Sequence, residues 1–296
     1  MNYGRTSLRR RAKQLDARGT RIRHKIGVIL GKLLLIGIIV GGCATVSFGV
    51  GALKGILASA PDISEVDVIP TGYSTKVLAA DGSETAKLVA AGSNRQYVTI
   101  DQIPENLQHA VVAIEDERFY DHNGIDLKGI VRALVADVRT RDFSQGASTL
   151  TQQLIKNNVL SEQWANENDS NISKMEKMER QVQRKIQEQY LAIELEKKVN
   201  DKNWILENYL NSINLGSNTL GVQAAAQRYF GKDVSKLTLS ECAVIAGITK
   251  NPAGYNPILH PKENAKRRKN VLDAMKKQGY ISQKQYDKAM ADDVYG

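Results

Sequence analysis

Three polar clusters in this chain carry the residue types that could do chemistry. They lie at residues 115–124, 146–157 and 184–188. Their candidate catalytic carboxylates are Glu115 and Glu188, and lysines and arginines accompany them in the second and third clusters. A carboxylate can take a proton from a reacting hydroxyl group, and a cation can stabilise negative charge that develops on a neighbouring group. The clusters therefore supply both a proton acceptor and positive charge.

Two further stretches follow the clusters, at residues 207–211 and 267–272. In this order, the five segments resemble the motifs of the peptidoglycan glycosyltransferases. These are the lipid II polymerases that occur alone or as the front half of bifunctional penicillin-binding proteins. The resemblance covers residues 101–296 and implies a mainly α, lysozyme-like domain with a small lobe that dips into the membrane. The apolar stretch 127–138 is the candidate for that lobe.

The excess of positive charge is confined to the N-terminal end of the chain. The first 32 residues hold ten lysines and arginines against the single acid Asp16, which accounts for the formal charge of +9. The other residues hold 31 basic and 31 acidic side chains. A basic excess beside an apolar segment indicates membrane topology, and it argues against a nucleic-acid partner.

That apolar segment runs from about Ile26 to Leu57, and residues 33–50 within it carry no charge. Eighteen helical residues at ~1.5 Å each extend ~27 Å, close to the ~30 Å hydrocarbon core of a bilayer. The sequence therefore predicts a single-pass helix in the bacterial cytoplasmic membrane, with the N-terminus in the cytoplasm and the catalytic domain outside. A cleaved signal peptide is the alternative, although the basic region is long for one.

The rest of the chain predicts a short stalk and a helical domain. Residues 75–89 alternate weakly around Asp81 and Gly82, which predicts a β-hairpin. From Pro104 onward nearly every segment has helical periodicity, which predicts an all-α domain. The predicted parts are a basic cytoplasmic tail (1–25), a transmembrane helix (26–57), an extracytoplasmic stalk with a β-hairpin (58–100) and a glycosyltransferase domain (101–296).

In the first cluster, Glu115 follows the apolar run 110–114, so its carboxylate should emerge from a core-facing helix end. The resemblance makes Glu115 the general base, and the alternative is an ordinary charged helix terminus. Asp116 and His122 could instead serve to order the turn that follows Glu115. The resemblance further places four residues of this cluster at the substrate: Asp116, Phe119, His122 and Gly124.

In the second cluster, helical spacing aligns hydroxyl, amide and ammonium groups on adjacent stripes, while Leu150 and Leu154 face the core. These groups suit sugar and phosphate oxygens, whereas a merely solvated face usually mixes lysine with glutamate. We expect Lys156 to contact a diphosphate, and the alternative is an internal hydrogen-bond network. The predicted binding residues are Ser148, Gln152 and Lys156 on one stripe, and Thr149, Gln153 and Asn157 on the next.

The third cluster places Arg184 and Lys185 on nearly the same helical face as Glu188. The resemblance makes Glu188 the second essential carboxylate, near the leaving diphosphate, and the alternative is a plain intrahelical salt bridge. A carboxylate with phosphates is a usual Mg²⁺ site, so we expect a weak, substrate-dependent Mg²⁺ or Mn²⁺ at Glu188 and no organic cofactor. The packing stripe of this helix is predicted at Ile186, Tyr190 and Ile193.

The later motifs predict supporting roles. Tyr209 and Asn211 are expected to brace the helices around the cleft, and the resemblance implies that an arginine of the fifth motif turns inward to a core acid. The polar stretch 161–180 is longer than the family's usual connection. It is interpreted as a solvated helix start, or alternatively as a flap over the cleft.

Together these expectations describe a membrane-anchored enzyme that polymerises lipid II into β-1,4-linked glycan strands by inverting displacement of undecaprenyl diphosphate. The expected partners are lipid II, the growing strand, the cytoplasmic membrane, and a transpeptidase or another cell-wall synthesis protein. The alternatives are a lysozyme-like lytic transglycosylase or hydrolase, and an inactive cell-wall scaffold. No serine has a lysine three residues later, so no transpeptidase activity is expected in this chain.

Overall fold

The structure, a computed structural model, describes residues 4–15, 18–63, 68–69, 75–81, 84–88, 95–140, 148–165 and 172–295. It divides into two compact units, Met1–Ser59 and Ala60–Gly296. The first unit consists of α1 (Arg5–Leu15) and α2 (Arg18–Ala58). Residues His24–Ala58 of α2 are long and apolar enough to cross a membrane, and an 18-residue window within them has a mean hydropathy of 2.4. They contain the whole of the predicted transmembrane segment, 26–57.

The second unit contains the predicted hairpin. Strand β1 (Thr75–Leu78) pairs antiparallel with β2 (Glu84–Leu88), and Thr75 lies opposite Leu88. The register shifts between Val77 and Leu78. Such an irregularity increases the local twist of a two-stranded ribbon.

The remainder of this unit is helical, as the periodicity predicted. One-turn 3₁₀ helices lie at Ile100–Gln102 and Val234–Lys236. The α-helices are α3 (Glu105–Glu115), α4 (Leu127–Thr140), α5 (Leu150–Asn158), α6 (Lys174–Val199), α7 (Lys202–Ser212), α8 (Val222–Phe230), α9 (Leu239–Ile248), α10 (Pro261–Lys277) and α11 (Gln283–Ala291).

Two groups of helices position the candidate site. Helix α3 packs against α9 and α10, and α5 packs against α6 and α7. Helix α9 is buried from Ser240 to Ile248, as expected for a helix that is apolar all round. The core side chains Leu150 and Leu154 of α5 are fully buried. Each such leucine contributes roughly 1.5–3 kcal/mol, so the helix ends that carry polar residues are held on a rigid frame.

Asn211 of α7 ties this frame to the segment that enters the helical domain. Its side-chain amide donates to the carbonyl of Val98 at 2.8 Å and accepts from the backbone N–H of Val98 at 3.0 Å. Both groups of Val98 are thereby paired, as buried backbone groups require. Asn211 therefore braces α7 against the segment at Val98, while its predicted role in bracing the helices around the cleft stays a prediction.

Side-chain caps set the starts of α5 and α6. Thr149 accepts a hydrogen bond from the backbone N–H of Gln152 at 3.2 Å, and Ser173 does the same for Glu176 at 3.2 Å. A cap of this kind contributes about 1 kcal/mol. Helix α6 therefore begins within the polar stretch 161–180, of which residues 166–171 lie outside the described residues.

The packing stripe predicted for α6 is wrong. The helix buries the face of Gln187, Glu188 and Leu191, whereas Tyr190 is 38% exposed. Gln187 accepts a hydrogen bond from the indole N–H of Trp164 at 3.1 Å. Polar groups are tolerated in a core when they are paired. The predicted stripe was Ile186, Tyr190 and Ile193. The residues that pack against α6 determine which face is buried, and hydrophobic periodicity does not reveal them.

Candidate active site

Helices α3, α5, α6, α7 and α10, with the residues after α9, surround a cleft of about 690 Å³. Both candidate carboxylates face it. Five of the predicted site residues are not among its lining: Asp116, Phe119, His122, Gly124 and Thr149. Those that line it are Glu115, Ser148, Gln152, Gln153, Lys156, Asn157, Arg184, Lys185 and Glu188.

Glu115 is the last residue of α3, and both of its carboxylate oxygens accept hydrogen bonds. Thr249 Oγ1 donates to Oε1 at 2.7 Å, and Gln153 Nε2 donates to Oε2 at 3.3 Å. The guanidinium of Arg267 lies 3.5 Å from Oε1. The Glu115 side chain is 14% exposed, so it is sheltered but reaches the cleft. A carboxylate held in one orientation at a cleft wall is suited to accept a proton from a bound hydroxyl group.

Gln153 is itself fixed by Tyr209. The phenol of Tyr209 donates to Gln153 Oε1 at 3.1 Å, which turns the amide nitrogen of Gln153 toward Glu115. Burial raises the pKa of Tyr209 well above its ordinary value, and the carboxylates of Glu115 and Asp116 raise it further. Tyr209 therefore keeps its proton and remains a donor.

Glu188 lies on α6, at the wall of the cleft that this helix forms, and its side chain is 3% exposed. Its Oε1 pairs with Arg184, and its Oε2 accepts from Lys185 Nζ at 3.0 Å. Lys185 also donates to Ser148 Oγ at 2.6 Å and to Gln152 Oε1 at 3.0 Å. The ammonium group is thus held by three acceptors, one on α6, one on α5 and one just before α5, which fixes a positive charge at the cleft wall before any ligand binds.

The lining has a surplus of positive charge. Among the described residues of the lining, five cations stand against the two carboxylates Glu115 and Glu188; the cations are Lys156, Arg184, Lys185, Lys250 and Arg267. Lys156 is exposed and makes no hydrogen bond or ion pair with the described residues. A cleft with these properties attracts an anionic ligand, and charge-assisted hydrogen bonds to phosphate oxygens are among the strongest available.

The predicted residues outside the cleft connect the first cluster to the second. Buried Asp116 accepts from His122 Nε2 at 3.0 Å and from the backbone N–H of Leu150 at 2.9 Å. Thr149 donates to the carbonyl of Gly124 at 2.7 Å, and Phe119 has no exposed surface. Substrate binding by these residues stays a prediction. Their contacts in the structure hold α5 against the turn after Glu115.

The transglycosylase family model matches residues 81–276. The chain belongs to the transglycosylase family. Members form the peptidoglycan glycosyltransferase domain of class A penicillin-binding proteins and are lysozyme-like, so the resemblance of the five motifs is confirmed. The match begins ahead of the predicted domain start at 101 and therefore includes β2.

Relatives of this transglycosylase chain are much longer proteins. It is 40% identical to penicillin-binding protein 1A/1B of Bacillus subtilis over 258 residues, which cover 87% of this chain and 25% of the relative. Penicillin-binding protein 1A of Aquifex aeolicus is 46% identical over 196 residues, 66% of this chain and 25% of the relative. Penicillin-binding protein 1A of Clostridium novyi is 39% identical over 252 residues, which cover 82% of this chain and 28% of the relative. The chain spans about a quarter of the length of these relatives.

The residues of the transglycosylase cleft that were not predicted from the sequence include Thr249, Lys250 and Pro252. These three directly follow α9, whose apolar run predicts only a buried helix. The signal that could have found them is the polar pair Thr249 and Lys250 at the end of that apolar run, the same pattern that marks Glu115 at the end of α3. Arg267 of the fifth motif turns inward to Glu115 and is 12% exposed.

The side chains around Glu188 do not fit the expected metal ion. Both carboxylate oxygens of Glu188 already pair with the cations Arg184 and Lys185. Across the described ranges, no group of three or more histidine, cysteine, aspartate or glutamate side chains is placed to hold a metal. A divalent ion at Glu188 would have to displace a lysine or an arginine that already places positive charge beside the carboxylate.

Proposed function

We propose that this transglycosylase chain polymerises lipid II into β-1,4-linked glycan strands. The observation that carries the proposal is the cleft that sets one sheltered, oriented carboxylate among five cations. A neutral glycoside leaving group needs a proton from a general acid, whereas a diphosphate leaving group needs positive charge. The surplus of cations therefore supports displacement of a diphosphate over hydrolysis or lytic cleavage of a finished strand.

In the proposed reaction Glu115 is the general base. It takes the proton from the 4-hydroxyl group of the acceptor's N-acetylglucosamine, and that oxygen attacks the anomeric carbon of the terminal N-acetylmuramic acid of the growing strand. The new C–O bond forms as the bond from the anomeric carbon to the diphosphate oxygen breaks. Attack from the face opposite the leaving group inverts the α-linked donor to a β-linked product.

The departing undecaprenyl diphosphate carries away the bonding electrons and needs stabilisation of its charge. In this proposal it comes from Arg184 and Lys185, which Glu188 holds in place, and from Lys156, which has no ion pair or hydrogen bond with the described residues. Because Lys185 is already fixed by Ser148, Gln152 and Glu188, little reorganisation is needed when charge develops in the transition state.

We further propose that α2 anchors the chain in the bacterial cytoplasmic membrane, with the basic tail in the cytoplasm and the cleft outside. The apolar span His24–Ala58 and the ten basic residues of the first 32 support this orientation. The proposed partners are lipid II, the growing strand, the membrane, and a transpeptidase or another wall-synthesis protein. The proposal assigns glycosyl transfer, and no transpeptidation, to these 296 residues.

The activity is tested by incubating the detergent-solubilised chain with labelled lipid II, with and without moenomycin, and separating the products by size. Glycan strands that moenomycin suppresses and muramidase digests are the expected result. Release of short fragments from finished peptidoglycan would favour the lytic alternative. Absence of both products from folded protein, with or without added Mg²⁺ or Mn²⁺, would leave the scaffold alternative.

Replacement of Lys156 by alanine is expected to raise the donor concentration needed for half-maximal rate by roughly tenfold, the cost of one charge-assisted contact to phosphate. The measurement is the polymerisation rate across a range of donor concentrations. Lys284→Ala, which removes an exposed lysine from α11 outside the cleft, is the matched control and should leave the curve unchanged. Identical curves for both variants would move the diphosphate site away from Lys156.

A further inference from the structure

Thr249 makes the shortest hydrogen bond to the proposed base. Its hydroxyl oxygen lies 2.7 Å from Glu115 Oε1, against 3.3 Å for Gln153 and 3.5 Å for Arg267. Thr249 is the C-cap residue of α9, and its half-buried side chain lines the cleft. It is therefore fixed by a buried helix at the point where the reaction would deliver a proton.

The same hydroxyl has a second acceptor within reach. Thr249 Oγ1 also lies 2.8 Å from the carbonyl oxygen of Ala246, one turn earlier in α9. The last carbonyls of a helix lack intrahelical partners, so this oxygen can accept a side-chain hydrogen bond. A hydroxyl group has one proton to donate and two lone pairs. Thr249 can therefore donate to Glu115 or to Ala246, but not to both at once.

The other two hydrogen-bond partners of Glu115 named above, Arg267 and Gln153, cannot change from donor to acceptor. Arg267 is a donor only, and the amide nitrogen of Gln153 is held toward Glu115 because the opposite end of that amide accepts from Tyr209. Burial raises the pKa of Tyr209, so its phenol keeps its proton and the Gln153 amide keeps this orientation. Among these contacts, Thr249 alone can accept a hydrogen bond from Glu115 once the carboxylate has become a carboxylic acid.

We propose that Thr249 is a positioning residue that serves both protonation states of Glu115. While Glu115 is ionised, the Thr249 hydroxyl donates to Oε1 and orients the carboxylate toward the acceptor sugar. When Glu115 has taken the sugar's proton, the hydroxyl turns to the Ala246 carbonyl and accepts a hydrogen bond from the new acid. Thr249 itself neither gains nor loses a proton. The role rests on the proposed function, because it assumes that Glu115 is the base.

Other charged and titratable groups lie beside Glu115 or line the same cleft. They are Arg267 from α10, Tyr209 from α7, Lys156 from α5, Lys250 after α9, the neighbouring Asp116, and the α6 group of Arg184, Lys185 and Glu188 across the cleft. A substitution that leaves all of these groups in place and removes only the hydroxyl group of Thr249 isolates the effect of that hydroxyl group. Thr249→Val does so with nearly the same shape, and Thr249→Ser keeps the hydroxyl.

The test is a ¹³C NMR titration of the full-length protein labelled at glutamate carboxyl carbons, with the Glu115 signal identified by its loss in Glu115→Gln. In Thr249→Val the midpoint of that titration should rise by up to about one pH unit, because the charge-assisted bond to the carboxylate is stronger than the bond to the acid and both are lost. The low-pH limb of the profile of polymerisation rate against pH should move by the same amount, and the maximal rate should fall roughly tenfold. Thr249→Ser should match the wild type in all three.

An unchanged midpoint in folded Thr249→Val would overturn the proposal, as would equal shifts in the valine and serine variants. The thermal midpoint of unfolding is measured beside each titration, so that a misfolded variant is recognised. If the wild-type protein makes no polymer, the proposed function fails, but the titration still decides whether Thr249 bonds to the ionised carboxylate. The two failures are therefore distinguishable.

Discussion

Glu115→Gln is expected to lower the rate of lipid II polymerisation by at least about 10²-fold, the usual cost of losing a general base. Glutamine has the same shape, and its carbonyl oxygen can still accept from Thr249 in place of the carboxylate. It cannot take a proton from the acceptor hydroxyl group. The loss should therefore appear in the rate at saturating substrate, measured with labelled lipid II, while the thermal midpoint changes little.

The matched control is Glu117→Gln, two residues further along the chain. Glu117 is exposed and pairs with Arg132 at 2.9 Å on the surface, so its neutralisation tests the effect of removing a negative charge near the site. Exposed ion pairs of this kind contribute little, and we expect its rate to stay within about twofold of the wild type. A near-normal rate in a well-folded Glu115→Gln protein would remove Glu115 from the role of base.

Gly124→Ala is expected to destabilise the domain by roughly 3 kcal/mol or more. Gly124 has φ of +85°, and a Cβ atom built on it would lie 2.6 Å from the backbone carbon and oxygen of Ala192 on α6. A backbone neighbour cannot move aside as a flexible side chain can. The carbonyl of Gly124 also accepts from Thr149 and Gln152, so a shift of this turn would disturb the start of α5.

The measurement is thermal unfolding in detergent, where the midpoint should fall by roughly 10 °C. Gly231→Ala is the matched control, because Gly231 also has a positive φ, +64°, but no atom of the described residues lies within 4 Å of its added Cβ. Its cost should be limited to the conformational term, about 1 kcal/mol. Equal losses in the two variants would show that the close approach of Gly124 to α6 has no role in stability.

The sequence by itself determined the elements and the family. The apolar run before Glu115 predicted the helix that ends there, and the apolar segment 26–57 predicted the long helix α2. The hairpin followed from the alternation around Asp81 and Gly82. These features depend on local periodicity, which the chain carries in its own order of residues. The five motifs likewise identified the family because their order is a property of the sequence.

Tertiary structure decided which polar residues face the cleft. Helical spacing placed Thr149 on a stripe with Gln153, but Thr149 caps α5 and bonds to Gly124, while Gln153 reaches Glu115. Spacing also placed Glu188 off the packing face of α6, yet it is buried against two cations.

The contacts of Glu115 depend on tertiary structure in the same way. Thr249 lies 134 residues away in sequence, and the carboxylate meets its hydroxyl only because α3 and α9 pack together. Periodicity gives the direction of a side chain relative to its own helix, whereas its partner is set by the packing of distant segments.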